Sequence, residues 1–185
     1  EAAKAVMPGG NTRTVLYTPP VPIRVAKAEG AVITDLDGFS YVDLLGEYSA
    51  GLYGHSHPRI GRAVADTLAM GLNLGAHHEA EVKLAQAVTA RFGLDLVRFT
   101  NSGTEANMMA LGAARAFTGR SKIMGIKGGY HGGTLYFGAG GAPVNAPFDV
   151  VLAPFNDMEA TRRLIETHGG DLAALIIEPM LGGGG

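Results

Sequence analysis

Leu96-Val-Arg-Phe-Thr-Asn-Ser-Gly-Thr-Glu-Ala-Asn-Met-Met-Ala-Leu-Gly-Ala-Ala-Arg-Ala-Phe117 is the stretch that decides the fold. Leu96 to Thr100 is a short apolar run that reads as a strand, and a turn of hydroxyls and glycine follows it. Thr104 to Phe117 is a helix so apolar that most of its circumference must be covered. A strand leading through a tight turn into a buried helix is the unit from which parallel sheets are built.

The same alternation extends outward in both directions. Upstream, Ile60, Val64 and Leu68 recur every fourth residue, with Arg59, Arg62 and Asp66 off that face. Val82, Ala85 and Val88, followed by Phe92, repeat the pattern, which predicts amphipathic helices from Pro58 and over 80–92. Downstream, Lys122 to Ile126, Val150 to Ala153 and Leu172 to Ile177 read as strands, the last of them buried. Asn156 with Glu159 three residues later resembles a capping box for a helix through His168, which Gly169-Gly170 ends. The expected fold class is α/β, a mostly parallel sheet with helices on both faces.

Before residue 58 the pattern differs. Residues 8–30 are rich in Pro and Gly and suit an extended arm. Ile23 to Lys27, Val32 to Asp35 and Tyr41 to Leu44 are β-type runs, and Asp37-Gly38 between the last two signals a hairpin. A small antiparallel sheet is therefore expected over 23–45. Glu1 to Met7 looks like the last turns of a helix, and Gly182 to Gly185 follow directly on an apolar strand. The chain thus reads as the N-terminal part of a longer protein, with residues 1–52 an arm and small sheet and residues 53–185 the first part of a large domain.

Composition narrows the function. A chain of 185 residues, 46% hydrophobic and 17% charged, can bury a core. Its net charge of -2 gives no electrostatic reason to bind nucleic acid or an anionic membrane. The absence of Cys excludes disulfides and thiolate metal or redox sites. No apolar run approaches the roughly 20 residues that cross a bilayer, so an intracellular, cytoplasmic protein is expected. Glycine is unusually frequent, 28 residues, most of them after residue 102 and between predicted elements.

Three motifs can carry chemistry. Ser102, Gly103 and Thr104 open the apolar helix, where unpaired N–H groups, a positive dipole end and two hydroxyls make a small phosphate cup. The same residues would also serve as a plain helix cap. The motif lacks the lysine of a P-loop and the spacing of a dinucleotide fingerprint, which disfavours nucleotides. Gly128-Gly129-Tyr130-His131-Gly132-Gly133 follows a strand and can offer ring faces at the C-terminal sheet edge, where a flat heterocycle could stack. Glu178 ends an apolar strand and needs a donor or a cation nearby. No cluster of acids surrounds His55, His57, His77 and His78, and there is no Cys, so no metal site is expected.

In order and spacing, Ser-Gly-Thr-Glu-Ala-Asn, Gly-Tyr-His-Gly-Gly and Ile-Ile-Glu-Pro-Met resemble the class III aminotransferases, pyridoxal 5'-phosphate (PLP) enzymes of fold type I. The resemblance covers nearly the whole chain, including Asp35-Leu-Asp-Gly38, Tyr41-Val-Asp43 and Gly54-His-Ser-His-Pro58. It implies that Ser102, Gly103 and Thr104 bind the cofactor phosphate and that Tyr130 stacks on its ring. It also implies that His131 supports the ring and that Glu178 joins the polar network at the phenolic oxygen. The family's Schiff-base lysine and its pyridinium-pairing aspartate come later than residue 185, so no catalytic residue is expected within this stretch. Residues 53–185 would be the first part of the PLP-binding domain.

Pro8-Gly-Gly-Asn-Thr-Arg-Thr-Val-Leu-Tyr17 and Glu47-Tyr-Ser-Ala-Gly51 look closest to the β-amino acid branch, the β-phenylalanine aminotransferases. There Arg13 would receive the substrate carboxylate, for which a guanidinium fork is suited, and Tyr48 would form a pocket wall. The implied partners are a small amino donor and a keto acid acceptor, with the active site at a homodimer interface. Glutamate-1-semialdehyde aminomutases share a similar arm and are the alternative. From a different class, a non-catalytic α/β protein that binds a phosphate ligand stays open.

Overall fold

The computed structural model describes residues 2–20, 22–138 and 142–183. The chain divides into two compact units, residues 1–78 and 79–185.

The first unit begins with a short helix, α1 (Ala2–Val6). The arm that follows is not extended throughout: Pro8–Gly10 and Thr14–Leu16 form single 3₁₀ turns. Strands β1 (Val25–Glu29), β2 (Val32–Asp35) and β3 (Ser40–Val42) form the expected antiparallel sheet in the order β1-β2-β3. The β2–β3 turn is organised by Asp35, whose carboxylate accepts the N–H groups of Asp37 (3.0 Å) and Phe39 (2.8 Å) and the Tyr41 hydroxyl (2.8 Å). Helix α2 (Pro58–Ala69) starts at the predicted proline.

The second unit contains α3 (Glu79–Phe92), α4 (Gly103–Thr118), β4 (Lys122–Ile126), β5 (Asp149–Ala153), α5 (Met158–His168) and β6 (Leu172–Leu175). The three strands form a parallel sheet in the order β5-β4-β6, with α4 against β6 and α5 against β5. Lys122 lies 3.1 Å from Asp171 and 3.7 Å from Asp149, which ties the three strand starts together at one edge. Its ammonium is held above the usual lysine range, first by Asp171 and then by Asp149. The core gathers Leu111 of α4, Ile123 of β4, and Leu135 and Phe137 of the following loop. Phe137 packs so closely on Gly125 that a Cβ there would lie 2.5 Å from its ring, so β4 admits only glycine at that position.

Several expectations need correction. Residues 96–100 form no strand, since a strand needs a ladder partner and none of the described residues pairs with them. Of the apolar residues of α4 only Leu111 is buried, and Met109 and Phe117 are exposed, so the helix is covered along one face alone. β6 is shorter and less buried than predicted: its ladder stops at Leu175, and only the Ile176 N–H donating to Met124 O carries the pairing further. The α5 cap is Asp157, whose carboxylate accepts the Ala160 N–H at 2.8 Å. Asn156, the predicted cap, sits one residue too early with φ of 54°.

Candidate functional site

The N-terminus of α4 is built as the sequence foreshadowed. Ser102 is the N-cap, and its hydroxyl accepts the Glu105 N–H at 3.1 Å. Among the described residues, the N–H groups of Gly103 and Thr104 meet no acceptor, as expected of the first residues of a helix. Gly103 is exposed, and a Cβ on it would touch nothing within 4 Å. Capping leaves the Ser102 hydroxyl able to serve a second partner, because the hydroxyl that accepts one hydrogen bond keeps its own hydrogen to donate.

The glycine loop after β4 closes against this helix start. Thr104 Oγ1 accepts the Gly133 N–H at 3.2 Å, which again leaves the threonine hydrogen available. Gly132 has φ of 122°, and a Cβ on it would lie 2.2 Å from Thr104 Oγ1. Only glycine permits this backbone approach. The loop is a small hairpin in its own right: Gly128 N–H donates to Phe137 O and Phe137 N–H to Gly129 O, at 2.9 and 2.8 Å. His131 N–H donates to Leu135 O at 2.9 Å. Asn145 holds the outer strand by exchanging two hydrogen bonds with the Tyr136 backbone, at 3.0 and 2.7 Å.

Two side chains fix the tip of the loop. Asn107 Nδ2 donates to the His131 carbonyl at 2.8 Å. Glu178 Oε2 accepts the Tyr130 N–H at 3.0 Å, and Oε1 accepts the Gly182 N–H at 3.2 Å. The carboxylate therefore finds the donors its position demanded, and its lone pairs leave room for a further one. Tyr130 is 57% exposed, with its ring 6.1 Å from that of Tyr136, and can offer a face for stacking. His131 points the other way: it is buried against Phe137, and its Nε2 has no partner among the described residues. Burial holds this imidazole below the ordinary histidine range, while nearby Glu178 pulls in the opposite direction.

The sequence reading named Ser102, Gly103, Thr104, Tyr130, His131 and Glu178, and the second unit brings all six into one contiguous neighbourhood. It missed Asn107 and Asn145. Asn107 lies three residues after Thr104 and four before Leu111, on the helix face that meets the loop, so periodicity could have found it.

The first unit holds the other two candidates. Arg13 is paired with Glu47, and the Tyr48 hydroxyl donates to Val15 O at 3.3 Å. His55 Nε2 lies 2.8 Å from Asp43. The Gly46 N–H, then His55 and the Leu45 N–H, hold that carboxylate below its usual range. A cavity of about 750 Å³ runs along α2, lined by Tyr53, His57, Ile60, Val64 and Leu68, and none of the candidate site residues lines it. Among the described residues no cluster of His, Asp and Glu could hold a metal ion, and no helix is long and apolar enough to cross a membrane.

The β-phenylalanine transaminase of Variovorax paradoxus is 48% identical over 100% of this chain and 43% of its own length. A solved β-phenylalanine aminotransferase from the same organism superposes with a TM-score of 0.95, covering 98% of this chain and 43% of that one. A solved transaminase with PLP bound is 38% identical, with a TM-score of 0.88 over 98% of this chain and 46% of that one. The glutamate-1-semialdehyde 2,1-aminomutase of Methanothermobacter thermautotrophicus is 39% identical over 97% of this chain and 46% of its own. The chain thus spans less than half the length of these relatives. The family description "Aminotransferase class-III" matches residues 16–185, and the chain belongs to that family.

Proposed function

We propose that the protein carrying this chain is a PLP-dependent transaminase that moves an amino group from a β-amino acid to a keto acid such as 2-oxoglutarate. The observation that carries the reading is the close approach of Gly132 to Thr104, which sets a glycine loop against a helix start whose first N–H groups are open. This donor set fits a phosphoester: two amides and two hydroxyls belong to one helix start, and the helix dipole favours the negative charge.

In this reading Ser102, Gly103 and Thr104 bind the phosphate, and Tyr130 lies against the pyridine ring. Glu178 holds the Tyr130 backbone and joins the polar network at the cofactor's phenolic oxygen. Buried His131, neutral at physiological pH, sits beside the ring as support. When bound, PLP supplies an electron sink that stabilises the carbanion left by proton removal beside the substrate nitrogen. Arg13 receives the substrate carboxylate and Tyr48 lines the pocket. Residues 1–52 belong to a small domain and 53–185 to the PLP-binding domain of a cytoplasmic homodimer with its active site at the interface. Sedimentation and cell fractionation test those last features.

Incubation of the full-length protein with 3-amino-3-phenylpropanoate and 2-oxoglutarate is the direct test, and glutamate is the expected product. The 39% identity to an aminomutase supports a second reading, isomerisation of glutamate-1-semialdehyde without a keto acceptor. A protein that takes up no PLP and forms neither product would overturn both and leave a phosphate-ligand binder.

A further inference from the structure

Gly46, Glu47, Tyr48 and Ser49 have φ of 54°, 51°, 54° and 75°, a run of four left-handed residues of which three carry side chains. L-residues visit this region singly, so such a run persists only where the surroundings impose it, and it marks a place to look for function. The surroundings are visible. Asp43 Oδ1 accepts the N–H groups of Leu45 (2.9 Å) and Gly46 (3.0 Å), and its other oxygen meets His55. Gly51 N–H closes the turn on Gly46 O at 2.9 Å.

The turn directs two side chains at the arm. Glu47 pairs with Arg13, and Tyr48 bonds the Val15 carbonyl. A cavity of about 450 Å³ borders Arg13, with Asn11, Thr12, Leu16 and Ile23 in its wall. Glu47 therefore presents to Arg13 the same chemical group that a carboxylate substrate would bring. A guanidinium already engaged by a carboxylate binds an incoming one with an affinity reduced by the fraction of time it is engaged.

We propose that Glu47 is a specificity-determining residue, a built-in competitor held by the strained turn that tempers the preference of Arg13 for carboxylate substrates over amines lacking a carboxylate. The proposal rests on the reading of Arg13 given above. Both side chains are about half exposed, 50% and 45%, so solvent screens the pair. Its removal should tighten carboxylate binding by about twofold to fivefold, the range expected of exposed ion pairs.

The test uses Glu47→Gln, Arg13→Ala and the double variant in the full-length protein. Glu47→Asn, whose side chain tolerates left-handed backbone, serves as a second charge removal. One readout is the calorimetric Kd for 3-phenylpropanoate, which carries the carboxylate without the amine. The other is KM for 3-amino-3-phenylpropanoate against that for 1-phenylethylamine. Both Glu47 variants should lower Kd and the carboxylate KM by that factor and raise carboxylate-over-amine selectivity equally. In the Arg13→Ala background the change should vanish. An unchanged or weakened Kd, or an effect that persists without Arg13, overturns the proposal. If Arg13→Ala weakens binding while Glu47→Gln changes nothing, only the competitor falls. If neither variant moves Kd, the reading of Arg13 falls with it.

Discussion

Replacing Gly132 by alanine probes the junction on which the proposed cofactor site depends. The new Cβ would lie 2.2 Å from Thr104 Oγ1 and 2.7 Å from both Thr104 Cα and Cβ, two of them atoms that no rotamer change can move away. The backbone φ of 122° adds strain of about 1–3 kcal/mol for a residue with a side chain. Overpacking adds about 1–3 kcal/mol, and loss of the Gly133 hydrogen bond to Thr104 about 1 kcal/mol. Even the low end of the three together, about 3 kcal/mol, is a factor of about 150 in an equilibrium. The cost falls on folding if the loop stays in place and on PLP binding if it moves away, so both need measuring. Urea unfolding followed by circular dichroism and PLP titration followed by absorbance give the two numbers. Gly133→Ala is the internal control, since a Cβ there meets nothing within 4 Å. A Gly132→Ala protein as stable as its parent and equally tight for PLP would refute the reasoning.

Other perturbations separate the remaining contributions. Ser102→Ala removes the α4 cap and should cost about 1 kcal/mol in urea unfolding, together with a measurable loss of PLP affinity. Asp157→Ala should cost a similar amount, about 1 kcal/mol, without touching PLP affinity. Asn156→Gly should be close to neutral in the same unfolding assay, because its φ of 54° suits glycine. His131 has a native pKa below its ordinary value of 6.5, so as pH falls through that value the unfolded chain gains a proton that the native imidazole resists. Its contribution to stability is complete above 6.5 and declines below it, and the decline in urea midpoint should be shallower in His131→Phe.

What the sequence disclosed depended on the range of the interaction responsible. The Asp37-Gly38 hairpin and the proline start of α2 are local events, and both stand where expected. The α5 cap was misplaced by one residue because Asn156 and Asp157 are both good caps and only backbone dihedrals separate them. Residues 96–100 carry strand-like apolar character, but character does not supply a ladder partner. In the candidate site, residue types drew attention to the start of α4 and the glycine loop, whereas the contacts that organise them lie far apart in sequence: Asn107 reaches His131 and Glu178 reaches Tyr130. The Arg13 pairing with Glu47 spans 34 positions and has no local signature, although both residues stand in segments that drew attention.

The most direct measurement is a crystal structure of the full-length protein grown with PLP. The phosphoester should lie within about 3 Å of the Gly103 and Thr104 N–H groups, with the pyridine ring flat against Tyr130. Density for the cofactor away from the start of α4, or a Tyr130 ring turned from it, would contradict the account.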